Sequence, residues 1–330
     1  MAEPIVSPRT VLVVGATGKQ GSAVISFLSQ SQSDFRILAL TRKASSPAAQ
    51  SLIRDSVSPV EGDLDKPDTI RKIFVDASST GGIWGIFVIL AFPGLGVNAD
   101  AEESQGILLV NLAVEFQVKT FIFSSVERGG EAFDDHLTLD RAAKVKIENH
   151  LRSSDNLSWT ILRPAFFMEN FDGAIGKVTT TVLQQGLKAD TKLQLIAVED
   201  IAHVACAIFE NPEPYDHKII VVVGDILTTA EQDQSYLRAT GRHLPSVPSF
   251  LGKALLATNS HTKALISDME RIHGDRSIME EGYQELLTTV RSIYPHMQTF
   301  EEWARNRGRK DDRGQRWNNV SIIDLILGRR

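Results

Sequence analysis

Val11-Leu12-Val13-Val14-Gly15-Ala16-Thr17-Gly18-Lys19-Gln20-Gly21 runs four apolar residues into three glycines spaced Gly-x-x-Gly-x-x-Gly. The apolar run predicts a buried strand, and a helical pattern starts at Gly21. A strand, a tight turn and a helix N-terminus in this order form the cradle of a dinucleotide pyrophosphate. Glycine at 15 permits the turn. At 18 it lets backbone N–H groups reach the phosphates, and at 21 it lets the helix lie close to the strand. A second apolar run, Arg36-Ile37-Leu38-Ala39-Leu40, begins one helix length later, so the unit reads as βαβ. Gly18-Lys19 followed by Gln20 lacks the frame of a P-loop.

The same rhythm continues downstream. Strands are expected at Val11–Val14, Phe35–Thr41, Val57–Glu61, Ile83–Ala91, Thr120–Ser124 and Trp159–Arg163. Helices are expected near Gly21–Ser29, Pro47–Arg54, Pro67–Phe74, Ala101–Phe116 and Leu139–Leu151. Alternation of this kind predicts an α/β fold, a doubly wound parallel sheet with helices on both faces. Beyond Pro164 the rhythm breaks, apart from a helix at Val198–Glu210 and a strand at Lys218–Val223. The expected organisation is a Rossmann domain over residues 1–170 plus about 196–224 and a smaller, mostly helical substrate lobe over 171–195 and 225–309. A C-terminal tail, 310–330, follows; from Arg305 on the chain is rich in arginine and ends in an apolar patch, Ile322 to Leu327.

The bulk composition narrows the function classes. The chain has 330 residues, 42% of them hydrophobic and 23% charged, as in a soluble globular enzyme. Its net charge of −6 argues against direct nucleic-acid binding, which needs a basic footprint. Cys206 is the only cysteine, so no intrachain disulfide can form. Met1-Ala2-Glu3-Pro4 lacks the basic start and apolar run of an export signal. The longest apolar runs are strand-sized, too short to span a bilayer. A cytoplasmic protein with no membrane partner is the expectation. The eight histidines show no metal-ligand spacing, and His203 on the Val198–Glu210 helix reads as structural.

The end of the second strand bears on the choice of cofactor. An NAD enzyme places an acidic side chain there for the ribose hydroxyls, and an NADP enzyme offers a cation for the 2′-phosphate. No Asp or Glu occurs between Phe35 and Arg54, whereas Arg42 and Lys43 stand where the phosphate would lie. A planar guanidinium can grip that phosphate with two hydrogen bonds. NADP(H) is therefore the expected cofactor. After the third strand, Asp63 is a candidate partner for the adenine, with Leu64 against its face. An Asp at a helix N-cap would look the same.

With these residues placed, the chain resembles the NmrA-like family of atypical short-chain dehydrogenases/reductases. That family includes fungal transcriptional co-regulators, mammalian redox sensors, plant benzylic ether reductases and reductases of fungal metabolite pathways. The resemblance rests on the glycine motif, Thr41-Arg42-Lys43, Phe121-Ile122-Phe123-Ser124-Ser125, Lys144, and Leu162-Arg163-Pro164-Ala165-Phe166-Phe167-Met168-Glu169-Asn170. Looser matches are Val198-Glu199-Asp200-Ile201-Ala202, Gly224-Asp225-Ile226-Leu227-Thr228 and Thr299-Phe300-Glu301-Glu302-Trp303. It implies that Pro164, Ala165, Phe167 and Asn170 lie along the nicotinamide end, and that Ala91 and Phe92, followed by Pro93, border the cofactor ribose.

The resemblance also marks an absence. Ordinary short-chain dehydrogenases place a proton-transferring Tyr four residues before a Lys that lowers its pKa and holds the nicotinamide ribose. Lys144 aligns with that lysine, but Asp140 occupies the tyrosine position. All four tyrosines, Tyr215, Tyr236, Tyr283 and Tyr294, lie in the C-terminal part. Three readings remain open. The first is an NADPH-dependent reductase of an activated C=N, C=C or C=O, with Lys144 orienting the ribose or acting as acid/base. The second draws the acid from His136, Tyr283 or Tyr294. The third is a non-catalytic NADP(H) sensor acting on a regulatory protein partner, with a nuclear location in that case. Ser124 and Ser125 could anchor a substrate oxygen or serve as turn chemistry. A homodimer is a further expectation.

Overall fold

The computed structural model describes residues 8–91, 98–278 and 280–307. The first six strands and their helices alternate along the chain as β1 (Arg9–Val14), α1 (Lys19–Leu28), β2 (Phe35–Thr41), α2 (Pro47–Gln50), β3 (Val57–Glu61), α3 (Pro67–Ser78), β4 (Gly85–Val88), α4 (Asp100–Glu115), β5 (Thr120–Ser124), α5 (Leu139–Arg152) and β6 (Trp159–Pro164). After them come β7 (Phe166–Phe167), α6 (Gly173–Gly186), β8 (Leu193–Ile196), α7 (Val198–Glu210), β9 (Lys218–Val222) and β10 (Asp225–Leu227). The remaining elements are helical: α8 (Thr229–Thr240), α9 (Ser249–Thr258), α10 (Ser260–Ile278), α11 (Glu280–Ile293) and α12 (Phe300–Arg307).

The main sheet has seven strands in the order β3-β2-β1-β4-β5-β6-β9. Pairings from β3 through β6 are parallel, with Val13 opposite Ala39 on one side and Phe87 on the other. Both faces of the central strands are covered, which is why β1, β4 and β5 are buried along almost their whole length. Leu12, Val14, Ile86, Val88, Phe121 and Phe123 join Ile70 and Phe74 of α3 and Leu109 and Val110 of α4 in one apolar core. Full burial of each such side chain contributes about 1.5–3 kcal/mol.

Several expectations about extent differ from the structure; α3, expected near Pro67–Phe74, runs on to Ser78, and β1, expected from Val11, starts at Arg9. The helix expected over Pro47–Arg54 stops at Gln50, because Arg54 turns back to exchange backbone hydrogen bonds with Val57 at 3.1 and 3.4 Å. The strand expected over Ile83–Ala91 is only Gly85–Val88, the stretch that has partners on both β1 and β5.

The chain divides into two compact units. The first contains the described residues through Val126, together with Phe133–Arg163 and Ile201–Val221, and so holds the body of the large sheet. The second contains Glu127–Ala132, Pro164–Asp200 and the described residues from Val222 onward. It has its own three-stranded sheet, in the order β10-β8-β7, where Leu195 lies antiparallel to Asp225 and parallel to Phe166. Its core gathers Met168, Phe171, Leu183, Leu195, Phe300 and Trp303. The segment 196–224, grouped above with the Rossmann domain, is shared: Leu193–Ile196 is a strand of the small sheet, and α7 crosses the division at Asp200. The tail 310–330 lies outside the described residues. No helix among the described residues is long and apolar enough to cross a membrane.

Candidate functional site

The strand order reverses between β1 and β4, and open α/β sheets take ligands in the crevice beyond the C-terminal strand ends at such a reversal. The glycine turn lies there. Gly15 has φ +73°, and a Cβ on it would stand 2.6 Å from the Ile89 carbonyl oxygen at the end of β4. The Gly18 N–H closes the turn on the Gly15 carbonyl at 2.9 Å. A Cβ at Gly21 would fall 2.3 Å from that same carbonyl, so α1 packs onto the turn with no room for a side chain. At Gly18 a Cβ would meet only the Gly15 oxygen, at 3.2 Å, and the residue is exposed.

Gly18 is also the N-cap of α1, and no side chain caps that helix. The first-turn N–H groups have no intrahelical acceptor, and the helix dipole places positive charge among them. Thr17 and Lys19 flank the opening, half-buried. The turn thus offers the closeness of backbone and the open donors that a pyrophosphate needs. Gln20 turns the other way. Its buried side chain accepts a 2.7 Å hydrogen bond from Ser124 Oγ at the end of β5.

Both serines considered as substrate anchors are engaged in the interior. Ser124 is held by Gln20, and Ser125 Oγ donates to Glu148 Oε1 at 2.5 Å. Glu148, on α5, also accepts from Arg163 Nη2 at 2.6 Å and Nε at 3.3 Å. This buried set ties α5 to the ends of β5 and β6.

At the end of β2, Arg42 and Lys43 are exposed, and neither head group has an ion-pair partner among the described residues. Glu61, at the end of β3, accepts from the Ala44 N–H at 3.1 Å. Asp63 is engaged in its own turn: its Oδ1 accepts from the Asp65 N–H at 3.2 Å and its Oδ2 is 3.5 Å from Lys66 Nζ. Leu64 packs against the apolar core. Ala91 is exposed, and Phe92 lies outside the described residues.

Lys144 has a partner that the sequence did not disclose. Its Nζ meets Glu102 Oε1, from the first turn of α4, and both residues are buried. Glu102 Oε2 is buried with no hydrogen-bond partner. Burial pushes the Glu102 carboxyl up against the pull of the Lys144 ammonium, and the charge of Asp140 adds to the rise. Glu102 stands in the acidic run Asp100-Ala101-Glu102-Glu103, which looks like ordinary decoration of a helix N-terminus. A recess of about 210 Å³ beside this pair is lined by Asn98, Asp100, Glu103, Leu139, Ala142 and Lys146, not by Lys144.

Pro164, Ala165 and Phe167 belong to the second unit, where the Ala165 N–H donates to the Val222 carbonyl at 3.0 Å and Phe167 pairs with Ile196. Asn170 is exposed in the turn Met168–Phe171. Among the other acid candidates, His136 stacks on Phe133 with centroids 4.9 Å apart, and Tyr283 Oη lies 3.1 Å from His273 Nδ1. His203 packs on Phe27 at 3.8 Å between ring centroids. No cluster of metal-ligating side chains occurs among the described residues.

Known proteins resemble this chain along most of its length. The NmrA-like oxidoreductase notA′ of Aspergillus versicolor is 27% identical over 295 residues, 81% of this chain and 80% of that protein. Agroclavine dehydrogenase of Claviceps fusiformis is 28% identical over 191 residues, 56% of this chain and 62% of that enzyme. Among solved structures, NmrA, a negative transcriptional regulator crystallised with NAD, superposes with a TM-score of 0.68 at 17% identity, covering 91% of this chain and 95% of NmrA. The triphenylmethane reductase of Citrobacter sp. complexed with NADP(H) gives 0.65 at 18% identity, covering 90% and 99%. At such identities the structural likeness is one of fold. The sequence pattern of the NmrA-like family matches residues 7–304, and the chain belongs to that family.

Proposed function

We propose that this protein is an NADP(H)-dependent reductase of a small organic substrate carrying an activated C=N, C=C or C=O bond. The observation that carries the reading is the open, uncapped N-terminus of α1 at the sheet's reversal point, with Arg42 exposed and in no ion pair among the described residues at the neighbouring strand end. Gly15, Thr17, Gly18, Lys19 and the backbone of Gln20 and Gly21 would hold the pyrophosphate, and Arg42 and Lys43 the 2′-phosphate. Asp63 and Leu64 would border the adenine, Ala91 and Phe92 the ribose, and Pro164, Ala165 and Phe167 the nicotinamide. NADPH, when bound, supplies a hydride. Lys144 would orient the ribose or hold the proton, its ammonium set against the Glu102 carboxylate.

A relative named as an oxidoreductase and one named as a dehydrogenase support this reading, as does a structural neighbour complexed with NADP(H). Two observations favour a second reading, a non-catalytic NADP(H) sensor that acts through a protein partner. Asp140 stands in place of the tyrosine, and the Lys144 ammonium is occupied by Glu102. Titration with NADPH and NADH, followed by a screen of iminium, enone and ketone compounds for NADPH oxidation, separates the two. Tight NADPH binding with turnover of any class supports the reductase. Tight binding with no turnover across all three supports the sensor, and equal affinity for NADH removes the NADP assignment.

A further inference from the structure

The Lys144–Glu102 pair stands where the seam between α4 and α5 opens beyond the strand ends. β4, β5 and β6 are parallel, so α4 and α5 each begin at the C-terminal edge of the sheet, the edge that carries the glycine turn. Glu148 marks that edge on α5, because it accepts from Ser125, the residue after β5. Lys144 lies one helical turn, about 5.4 Å, further out on the same face. Glu102 is in the first turn of α4, the helix that follows β4, and β4 is the strand beside the reversal. One turn deeper the two helices touch: a Cβ at Gly106 would lie 2.5 Å from the Ile147 side chain.

A second ion pair crosses the same seam and serves as a foil. Lys146 Nζ meets Glu103 Oε2 at 2.7 Å, and their side chains are 60% and 26% exposed. For Lys144 and Glu102 the figures are 10% and 3%. The outer pair and the apolar contact at Gly106 are enough to join two helices. A buried pair must also overcome the lost hydration of both ions, and an apolar pair in its place is often no worse. Its burial therefore calls for a use beyond joining α4 to α5. Burial deepens from lysine to glutamate, so the carboxylate backs the ammonium. An ammonium carries three N–H donors, and Glu102 takes one of them. Among the described residues Lys144 Nζ has no other hydrogen-bond partner, which leaves two donors for a ligand.

We infer that Glu102 is a positioning residue: it fixes the Lys144 ammonium at the cofactor crevice and leaves its two remaining donors for the hydroxyls of the nicotinamide ribose. A vicinal diol suits two such donors, because each hydroxyl oxygen accepts an N–H and neither carries a charge for Glu102 to repel. Glu102 acts through the lysine and not on the cofactor, since its own free oxygen, Oε2, is buried. The inference rests on the NADP(H)-binding reading proposed above and adds the residue that aims the lysine. It holds for a reductase and for a sensor alike.

The test titrates the full chain with two probes by calorimetry. One is NADPH; the other is adenosine 2′,5′-bisphosphate, which keeps the phosphate-bearing adenosine and lacks the nicotinamide ribose. Glu102→Gln keeps the shape and removes the charge. It should weaken NADPH about tenfold, as for the loss of one charge-assisted hydrogen bond, and leave the bisphosphate within about twofold of the wild type. Glu103→Gln, which breaks the exposed pair across the same seam, should leave both affinities unchanged. Should Glu102→Gln fail to fold, as melting curves will show, Glu102→Asp keeps the charge but withdraws it by one methylene, and the same selective loss is expected. A uniform loss for both probes, no loss in a folded Glu102 variant, or the same selective loss in Glu103→Gln overturns the inference and leaves NADP(H) binding standing. Failure of both Glu102 variants to fold assigns the pair to stability alone and likewise overturns it. Wild-type protein that does not bind NADPH defeats the NADP(H) reading itself, and the inference with it.

Discussion

The Lys144 ammonium is closed against the Glu102 carboxylate, a buried pair that joins α5 to α4. Removing one member of such a pair leaves a buried charge unmatched, which costs about 3–5 kcal/mol, whereas replacing both by apolar groups is often neutral. Glu102→Ala should therefore lower the unfolding free energy by about 3 kcal/mol or more, and the double change Glu102→Met with Lys144→Met should recover most of it. Chemical denaturation of the three proteins checks this. A double variant no more stable than Glu102→Ala would mean that the two side chains do not act as a pair.

Arg42 should separate the two nicotinamide cofactors. A charge-assisted hydrogen bond contributes about 1.5–3 kcal/mol, so Arg42→Ala should weaken NADPH about 10- to 100-fold and leave NADH nearly unchanged. Fluorescence titration with each nucleotide measures both affinities. An unaltered NADPH affinity would remove Arg42 from the phosphate site.

The glycines of the turn should fail in different ways. At Gly21 the added methyl collides with backbone at 2.3 Å, so Gly21→Ala should lower stability by about 2 kcal/mol or more. At Gly18 the single contact is 3.2 Å, to the Gly15 carbonyl oxygen, and the residue is exposed. Gly18→Ala should remain folded yet bind NADPH about tenfold more weakly, because the methyl stands where the phosphates approach. Melting curves read beside nucleotide titrations separate the two effects. Comparable melting points for both variants would contradict the packing argued for Gly21.

Asp200 should give stability a distinctive pH dependence. It is 1% exposed and accepts from the Gln298 N–H at 2.7 Å and Nε2 at 3.2 Å, anchoring the chain just before α12. Burial raises its carboxyl from 3.8 to about 6, with the charges of Glu199 and Glu169 adding to the rise. Between those values the folded protein holds a proton that the unfolded chain has released. This contribution to stability is therefore complete below pH 4 and lost as pH rises through about 6, a change of about 3 kcal/mol. Asp200→Asn should flatten that part of the profile in urea unfolding between pH 4 and 7. Parallel profiles for the two proteins would refute the assignment.

Local signals account for what the sequence disclosed. The glycine turn, the βαβ rhythm and the cations after β2 are each written within a few neighbouring residues. β2, β3 and β5 consequently have the bounds expected, as does α7. The small sheet escaped because β7 and β10 are two and three residues long and β8 is interrupted by Gln194, too little for an alternating pattern to register. The pairings of Lys144 with Glu102 and of Glu127 with Arg276 join residues 42 and 149 positions apart, so no window along the chain contains both partners.

Arg42 projects from the end of β2 without taking part in any ion pair among the described residues, while Gly21 cannot accept even a methyl. If Arg42 selects the cofactor, that choice is energetically detached from folding. A lineage could exchange one nicotinamide currency for the other by a change at position 42, with the body of the protein indifferent to the trade.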